Sequence, residues 1–187
     1  MELRCRSRRA ALRALVQAAL AGSLAFAALG PAVAATLEAS VKAAYLYKFT
    51  GFVEWPPRAF AATDTPIVIG VVDAPEVLAE LEPVLVGRSI HGRPLRARRV
   101  IPGETLEGVH MLYVPAPDRL PSAWLASADA QPLLLVTDQP GGLASGGMLN
   151  FLLHEGRVRF EASPPAAERA GIRLSARLLA VAERVVP

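Results

Sequence analysis

Cysteine is almost absent from this sequence. The 187 residues include a single cysteine, Cys5, near the start of the chain. A disulfide needs two cysteines, and thiolate metal sites and thiol nucleophiles need at least one in the folded domain. The chain after Cys5 therefore has no disulfide, no cysteine metal ligand and no cysteine nucleophile. Its length is enough to bury a stable core without such links.

The sequence also lacks a surplus of positive charge beyond its first residues. The whole chain carries 20 Lys and Arg against 17 Asp and Glu, but five arginines and Glu2 lie before residue 35. The remainder holds 15 basic and 16 acidic groups. Proteins that bind nucleic acids use a large excess of cations to displace phosphate counterions. We therefore predict no nucleic-acid partner.

Catalytic and metal-binding motifs are missing as well. The three histidines, His91, His110 and His154, have no spacing that suits a metal site. No Gly-x-Ser-x-Gly motif marks a serine hydrolase. The stretch GGLASGG at 141–147 lacks the Gly-Lys-Ser/Thr ending of a phosphate-binding loop, and a strand is predicted after it. We predict a structural turn there, and a protein that is not an enzyme and has no cofactor and no metal ion.

Residues 1–34 have the three parts of a secretory signal peptide. Five arginines form a basic start, residues 14–30 are apolar with two polar interruptions, and AVA at 32–34 fits the small-x-small cleavage pattern. The apolar run is slightly shorter than a membrane-spanning helix requires. We predict export and cleavage before Ala35, with residues 35–187 as one domain; an uncleaved membrane anchor is the alternative.

The rest of the chain alternates between strand and helix patterns. Continuous apolar runs such as IVIGVVD at 67–73 are typical of strands buried on both faces. Apolar residues at i, i+4, i+8 and i+11 from Val41 predict a first helix, which the prolines after Trp55 end. The predicted helices cover 36–54, 75–86, 121–128 and 175–185, and the predicted strands cover 67–73, 95–101, 109–114 and 133–137.

A hairpin is predicted over residues 148–162, because a Glu-Gly pair at 155–156 separates two alternating segments. Strand and helix alternation before the hairpin implies parallel pairing. We therefore predict an α/β fold with a mostly parallel central sheet flanked by helices, in a Rossmann-like three-layer arrangement. An antiparallel C-terminal hairpin and a final helix complete the predicted fold.

Two stretches contain most of the candidate binding residues. In the hairpin, strand alternation puts Arg157, Arg159 and Glu161 on one face, which is either a solvated edge or the wall of a polar groove. Glu54 and Trp55 lie at the end of the first helix. Trp55 either caps the core or lines a groove for a partner, since tryptophan is enriched at binding hot spots.

Arg177 is the remaining candidate. It follows Arg169 and Arg173 at four-residue spacing, which would form a basic stripe on an unbroken helix. Gly171 is a residue that commonly ends a helix, and Ser175 is a suitable N-cap for the next one. The sequence leaves open whether the stripe exists.

Several short motifs together resemble the YfiR-like family of bacterial periplasmic proteins. Each motif is weak alone, but their order and spacing over about residues 41–186 are specific. The motifs are KAAYLY at 42–47 with Phe49, FVEWP at 52–56, GRPL at 92–95, VTD at 136–138, GGM at 146–148 with Phe151, RVRFE at 157–161, AA at 166–167, AGI at 170–172 and SARLL at 175–179.

The resemblance implies a compact, non-catalytic α/β domain in the periplasm. It implies a repressor that binds the periplasmic sensor domain of an inner-membrane diguanylate cyclase, or of a sensor kinase, and keeps it inactive. An outer-membrane lipoprotein would sequester the repressor, after which cyclic-di-GMP rises and biofilm forms. A homodimer is left open. Related repressors often carry paired cysteines, one of them at the position of Val109, so the resemblance does not extend to redox control by a disulfide.

Two alternative functions remain at this point. A periplasmic small-molecule sensor that reports to a membrane kinase or cyclase would use Trp55 and the charged hairpin face to line its pocket. An enzyme would need His110 or His154 beside Asp138 or Glu161 in a cleft.

Overall fold

The computed structural model describes residues 30–116, 124 and 131–187. Residues from Ala39 to Pro187 form one compact unit, and the few described residues before Ala39 belong to a separate N-terminal unit. Within the described residues, no helix is both long and apolar enough to cross a membrane.

Two predicted segments lie largely outside this range. The export signal over residues 1–34 is outside the described residues except for the backbone of its last five positions. The predicted helix over 121–128 is outside them except for Trp124. Both segments therefore stay predictions.

The described residues contain four helices and ten strands. The helices are α1 (Gly30–Phe52), α2 (Pro75–Leu85), α3 (Pro164–Arg169) and α4 (Ala176–Leu179). The strands are β1 (Val53–Glu54), β2 (Ile67–Val72), β3 (Ser89–Ile90), β4 (Arg93–Val100), β5 (Met111–Val114), β6 (Leu134–Thr137), β7 (Leu149–His154), β8 (Arg157–Ala162), β9 (Arg173–Leu174) and β10 (Arg184–Val185). A short 3-10 helix follows β1 at Pro57–Ala59.

Eight of these strands form one sheet in the order β10-β8-β7-β6-β5-β2-β4-β3. The five central strands, β4-β2-β5-β6-β7, are parallel. Strand β8 returns antiparallel to β7, and the short strands β10 and β3 occupy the two edges. From β2 the chain continues to β4 on one side of β2 and then crosses to β5 on the other side of β2. This reversal of direction is the pattern of a doubly wound α/β fold. The predicted mostly parallel sheet and antiparallel hairpin are confirmed.

One face of the sheet packs against α1, α2 and α3. Phe49 of α1 is at the centre of this face, where its ring lies 5.0 Å from that of Phe160 and 5.8 Å from that of Phe151. Tyr45, one helical turn earlier, lies 5.8 Å from Phe160. The buried residues of this face also include Ala43, Leu46, Ile67, Ile69, Val71, Val77, Leu81, Leu85, Met111, Tyr113, Leu134, Val136, Leu149, Ala166, Ala167, Ile172 and Leu178.

The opposite face has a second, smaller apolar cluster. Leu112 and Leu135 point to this face from the central strands, because successive side chains of a strand alternate between faces. Leu106, Val109 and Trp124 cover them, and the Trp124 indole donates a hydrogen bond to the Glu104 carbonyl at 3.0 Å. The sheet is thus buried on both sides, which explains why its central strands are continuously apolar.

Helix α1 ends two residues before the predicted position. Val53 and Glu54 extend as β1 and pair with Leu174 and Arg173 of β9. The Ser175 amide donates to the Phe52 carbonyl at 3.0 Å, so a distant segment satisfies one of the carbonyls left free at the helix end. A pairing between residues so far apart in sequence has no local signal.

The C-terminal helix is much shorter than predicted. Ser175 does cap α4, because its hydroxyl accepts from the Leu178 amide, but the helix ends at Leu179. The Glu183 amide then donates to the Phe160 carbonyl, and the next residues form β10 on the edge of the sheet. Val181 and Val185, which the apolar stripe placed inward, are 67% and 41% exposed.

Replacement of Phe49 by alanine should destabilise the fold by about 3–5 kcal/mol, because it empties the centre of the aromatic cluster. Phe49 is 1% exposed, whereas Val86 is 79% exposed. Urea unfolding of Phe49→Ala measures the loss, and Val86→Ala is the control, expected within about 0.5 kcal/mol of the parent. Equal stability of Phe49→Ala and the parent would contradict the packing described.

Candidate functional site

Glu161 is the most deeply buried of the predicted site residues, at 4% exposure. One carboxylate oxygen accepts from Asn150 Nδ2 at 2.9 Å, and the other accepts from Arg184 Nε at 2.9 Å and from Arg184 Nη2. Asn150 Oδ1 accepts in turn from Thr137 Oγ1 at 2.7 Å. This network joins β6, β7, β8 and β10. Glu161 therefore holds the edge of the sheet together. The interpretation of the three hairpin charges as a solvated edge is wrong for Glu161, because this side chain is buried.

The glycine-rich loop at 141–147 lies against the same network. A side chain on Gly142 would overlap with Asn150 and Thr137, and one on Gly147 would come within 2.6 Å of Thr137 Oγ1. Strand β7 follows the loop. The predicted structural turn is confirmed, and the glycines serve the close approach of the loop to buried polar side chains.

A second buried polar cluster joins α1 to the carboxyl end of β6. Lys42 Nζ lies 2.5 Å from Asp138 Oδ2, and the Tyr113 hydroxyl donates to the same oxygen at 2.8 Å. The Lys42 and Asp138 side chains are only 11% and 17% exposed. A partly buried ion pair is costly to break from one side, because the other charge is then left without its partner. This cluster fixes α1 on the sheet.

Arg157 and Arg159 remain at the surface of the hairpin. Arg157 is exposed near the hairpin turn, opposite His154 in the register of β7 and β8. Arg159 Nε lies 4.0 Å from Glu183 Oε2, and His154 Nδ1 lies 3.8 Å from the other oxygen of that carboxylate. These long, exposed contacts contribute little to stability. The two arginines are accordingly free to meet a charged partner at low cost to the fold.

Trp55 is half-buried and packs against the main core. Its indole nitrogen donates to the His110 carbonyl at 3.1 Å. Trp55 therefore caps the core, as one of its two interpretations predicted, and the residue stays partly exposed. Glu54 is exposed on β1 opposite Arg173 of β9.

Arg177 is exposed on α4, and the described residues offer it no ion-pair partner. Arg169 ends α3 and Arg173 lies in β9, with Gly171 at a φ of 74° between them. Positive φ favours glycine and ends the first helix. The three arginines thus belong to three elements, and the continuous basic stripe does not exist.

The predicted residues fall into two groups, and within the described residues no hydrogen bond or ion pair joins one group to the other. Glu54, Trp55 and Arg177 flank the β1–β9 pair, whereas Arg157, Arg159 and Glu161 lie along β8. Sequence reasoning did not predict that Asn150 and Glu183 would organise these surroundings, and it singled out Asp138 only in a family motif and in the enzymatic alternative. A polar residue inside the apolar strand LNFLL was the one available signal for Asn150.

Within the described residues, no hydrogen bond or ion pair joins His110 or His154 to Asp138 or Glu161, as the enzymatic alternative would require. His110 contacts Ala59 and Val68 at the amino ends of the strands, whereas Asp138 follows the carboxyl end of β6. The carboxylate near His154 is Glu183, and the pair is exposed. Among the described residues, no group of three His, Cys, Asp or Glu side chains could hold a metal ion.

A small cleft lies at the carboxyl ends of β2 and β4, the edge where doubly wound folds commonly bind ligands. Its volume is about 190 Å³, and Asp73, Pro75, Leu78 and Arg99 contribute to its wall. Pockets for drug-sized ligands usually measure about 300–1,000 Å³. Neither Trp55 nor the hairpin arginines line this cleft.

Removal of the Glu161 carboxylate should cost about 1–3 kcal/mol, because the buried Asn150 amide then loses its acceptor. Urea unfolding of Glu161→Ala measures this loss. The matched control is Glu168→Ala on the exposed surface of α3, expected to change stability by less than about 0.5 kcal/mol. If both variants unfold at the same urea concentration as the parent, Glu161 does not hold the sheet edge.

Comparison with known proteins gives one family. A model described as YfiR/HmsC-like matches residues 39–183, which is most of the chain and nearly all of the compact unit. That family is known for regulation of cyclic-di-GMP signalling from the periplasm, and it is regulatory rather than catalytic. The comparison with curated proteins gives no match. The extent of the family match shows that the chain belongs to the YfiR/HmsC-like family.

Proposed function

We propose that this protein is a periplasmic repressor that binds the periplasmic sensor domain of an inner-membrane diguanylate cyclase and keeps the cyclase inactive. The observation that carries the proposal is the family match over residues 39–183. The site geometry supports it, because the buried polar groups described above already serve the fold. What the surface offers is exposed arginine and partly exposed tryptophan, the side chains that most often anchor protein interfaces.

The energy that repression requires is within reach of an ordinary interface. A shift of a two-state sensor from mostly active to mostly inactive needs about 5.5 kcal/mol of differential binding. A standard interface buries about 1,600 Å² and draws most of its affinity from a few anchors. We propose Arg157, Arg159 and Arg177, with Glu54 and Trp55, as those anchors.

Release of the repressor is part of the same proposal. An outer-membrane lipoprotein would compete for the repressor and free the cyclase. A small domain can bind two partners either at the same time on separate surfaces or one at a time on a common surface. Because the lipoprotein must displace the cyclase, we propose that both partners contact the surfaces that contain Arg157 and Arg177.

The proposal requires export. We expect the periplasmic fraction to contain a chain that begins at Ala35, because residues 32–34 fit the cleavage pattern. Intact-mass measurement of the protein from that fraction tests this directly. A full-length chain retained in the membrane would show that the apolar segment is an anchor.

Repression predicts that deletion of the gene raises cellular cyclic-di-GMP, and that the intact gene on a plasmid restores the lower level. Arg157→Glu and Arg177→Glu should fail to restore it, because charge reversal at an interface anchor weakens binding. Cyclic-di-GMP extracted from each strain is the measurement.

The matched control is Arg96→Glu. Arg96 is exposed on β4, near the opposite edge of the sheet from β8. We expect this variant to repress like the parent, with all three proteins present at equal amounts in the periplasm. An unchanged cyclic-di-GMP level on deletion, under several growth conditions, would overturn repression of a cyclase.

Thermal-shift screening separates this proposal from the small-molecule sensor. A metabolite that binds the folded state raises the melting temperature. Stabilisation by a metabolite, abolished by Trp55→Ala or Arg159→Ala, would favour the sensor. Capture of a membrane protein by the unliganded domain would favour the repressor.

A further inference from the structure

The segment from Trp55 to Pro66, which we name the strap, lies at the amino-terminal ends of strands β2, β4 and β5. None of its side chains is fully buried. Hydrogen bonds within the strap, such as that from the Phe60 amide to the Pro57 carbonyl, stabilise its local conformation but do not attach it to the sheet. Trp55 and Phe60 pack against the main core, but because the strap has no fully buried side chain, its specific polar and stacking contacts contribute much of what keeps it closed.

The polar contacts that attach the strap to the sheet go to two residues. His110 accepts the Trp55 indole at its carbonyl and contacts the Ala59 carbonyl through Nε2 at 3.0 Å. Arg93 donates to the Ala62 carbonyl at 2.7 Å and to the Thr65 carbonyl at 3.1 Å.

Aromatic stacking completes the attachment. Phe60 of the strap lies flat on the His110 ring, at 4.7 Å between centroids and 17° between planes. The Arg93 guanidinium covers the other side of Phe60 at 3.7 Å from the ring centre. His110, Phe60 and Arg93 thus form a stack, in which the Phe60 ring separates the positively charged Arg93 guanidinium from the His110 ring.

The hydrogen bonds fix the protonation state of His110. The Val68 amide can only donate, so Nδ1, 3.2 Å away, accepts and carries no proton. The Ala59 carbonyl can only accept, so Nε2 carries the proton and donates. A second proton on the ring would place Nδ1–H against the Val68 N–H, two donors facing each other, and would bury a cation in a residue that is 2% exposed.

We propose that His110 is an acid-sensitive latch for the strap: protonation of its ring releases residues 55–66 from the sheet and moves the Trp55 surface. The latch is a property of the chain itself and does not depend on the proposed cyclase partner. The latch would make the binding of any partner that contacts Trp55 depend on the pH of the compartment.

The charges around His110 favour this response. Burial lowers the pKa of His110 from its ordinary value of 6.5, and the Arg93 guanidinium on β4 lowers it further, against the opposing effect of the Ala59 and Gly108 carbonyls. The other charged side chains near this segment, Arg58 and Asp64 of the strap and Glu107 of the preceding loop, are exposed and screened by solvent. Strand β2 contributes no titratable side chain.

The sign of the effect follows from linkage. The closed strap holds His110 neutral, whereas an open strap lets the ring titrate near 6.5. The closed state is therefore fully favoured above that pH and loses free energy as the pH falls below it. One group that titrates near 6.5 only in the open state shifts the opening equilibrium by up to about 30-fold between pH 7.5 and pH 5.0.

Hydrogen exchange tests the latch on the whole exported chain. We expect protection of the hydrogen-bonded strap amides, and of the Val68 amide that donates to His110, to fall about 10- to 30-fold from pH 7.5 to pH 5.0 after correction for the intrinsic effect of pH on exchange, while β5 and β6 stay protected. His110→Gln, which can donate and accept but cannot titrate, should lose this pH dependence. His154→Gln, at an exposed histidine, should keep it.

An NMR titration of the parent covers the case in which His110→Gln does not fold. The proposal requires the His110 ring to titrate below 6.5 and the Trp55 indole proton signal to shift or exchange at the same midpoint. Unchanged strap protection across this pH range, or a His110 ring that titrates with no change at Trp55, would overturn it.

Discussion

Burial of the central sheet on both faces is the constraint on which the rest of this structure depends. A sheet buried on both sides leaves no water to satisfy polar groups, so each one must find a partner inside the protein. In the part of the chain that the structure describes, no buried side-chain nitrogen or oxygen lacks a hydrogen-bond partner. Glu161, Asp138 and His110 are each committed in this way, although any of them could have served chemistry in a more open fold.

The same constraint leaves most of the candidate binding residues outside the buried interior, with Glu161 as the exception. With no cysteine after Cys5, the domain is stabilised by apolar packing around Phe49 and by the pairing of its buried charges. What stays available to a partner is the exposed part of the hairpin, the surface around β1 and β9, and the strap. This distribution suits a regulatory domain, as the family to which the chain belongs is regulatory.

Much of the fold could be predicted because its signals are local. The apolar run of β2, the first proline of α2 and the Glu-Gly turn between β7 and β8 each determine nearby backbone geometry, and all three are found as expected. Residue Glu155 has a φ of 50° and Gly156 one of 71°, as a tight hairpin turn requires.

The remaining features depend on residues that are distant in sequence. Strand alternation predicted that Glu161 and Arg159 lie on the same face of β8. The burial of Glu161 depends on its hydrogen bonds with Arg184 and Asn150, and no sequence periodicity links these residues to Glu161. The apolar stripe of the last segment predicted a long helix, yet the free edge of β8 pairs with β10 instead. The stack of His110, Phe60 and Arg93 likewise joins three separate segments.

The most direct test of the account is photocrosslinking in living cells, with a photoreactive amino acid in place of Arg157, Arg177 or Arg96. The account predicts that the first two positions crosslink to an inner-membrane signalling protein with a periplasmic domain, while position 96 on the far side of the sheet does not. No membrane protein captured at positions 157 and 177, or equal capture at position 96, would contradict the claim that this domain regulates a membrane partner through these surfaces.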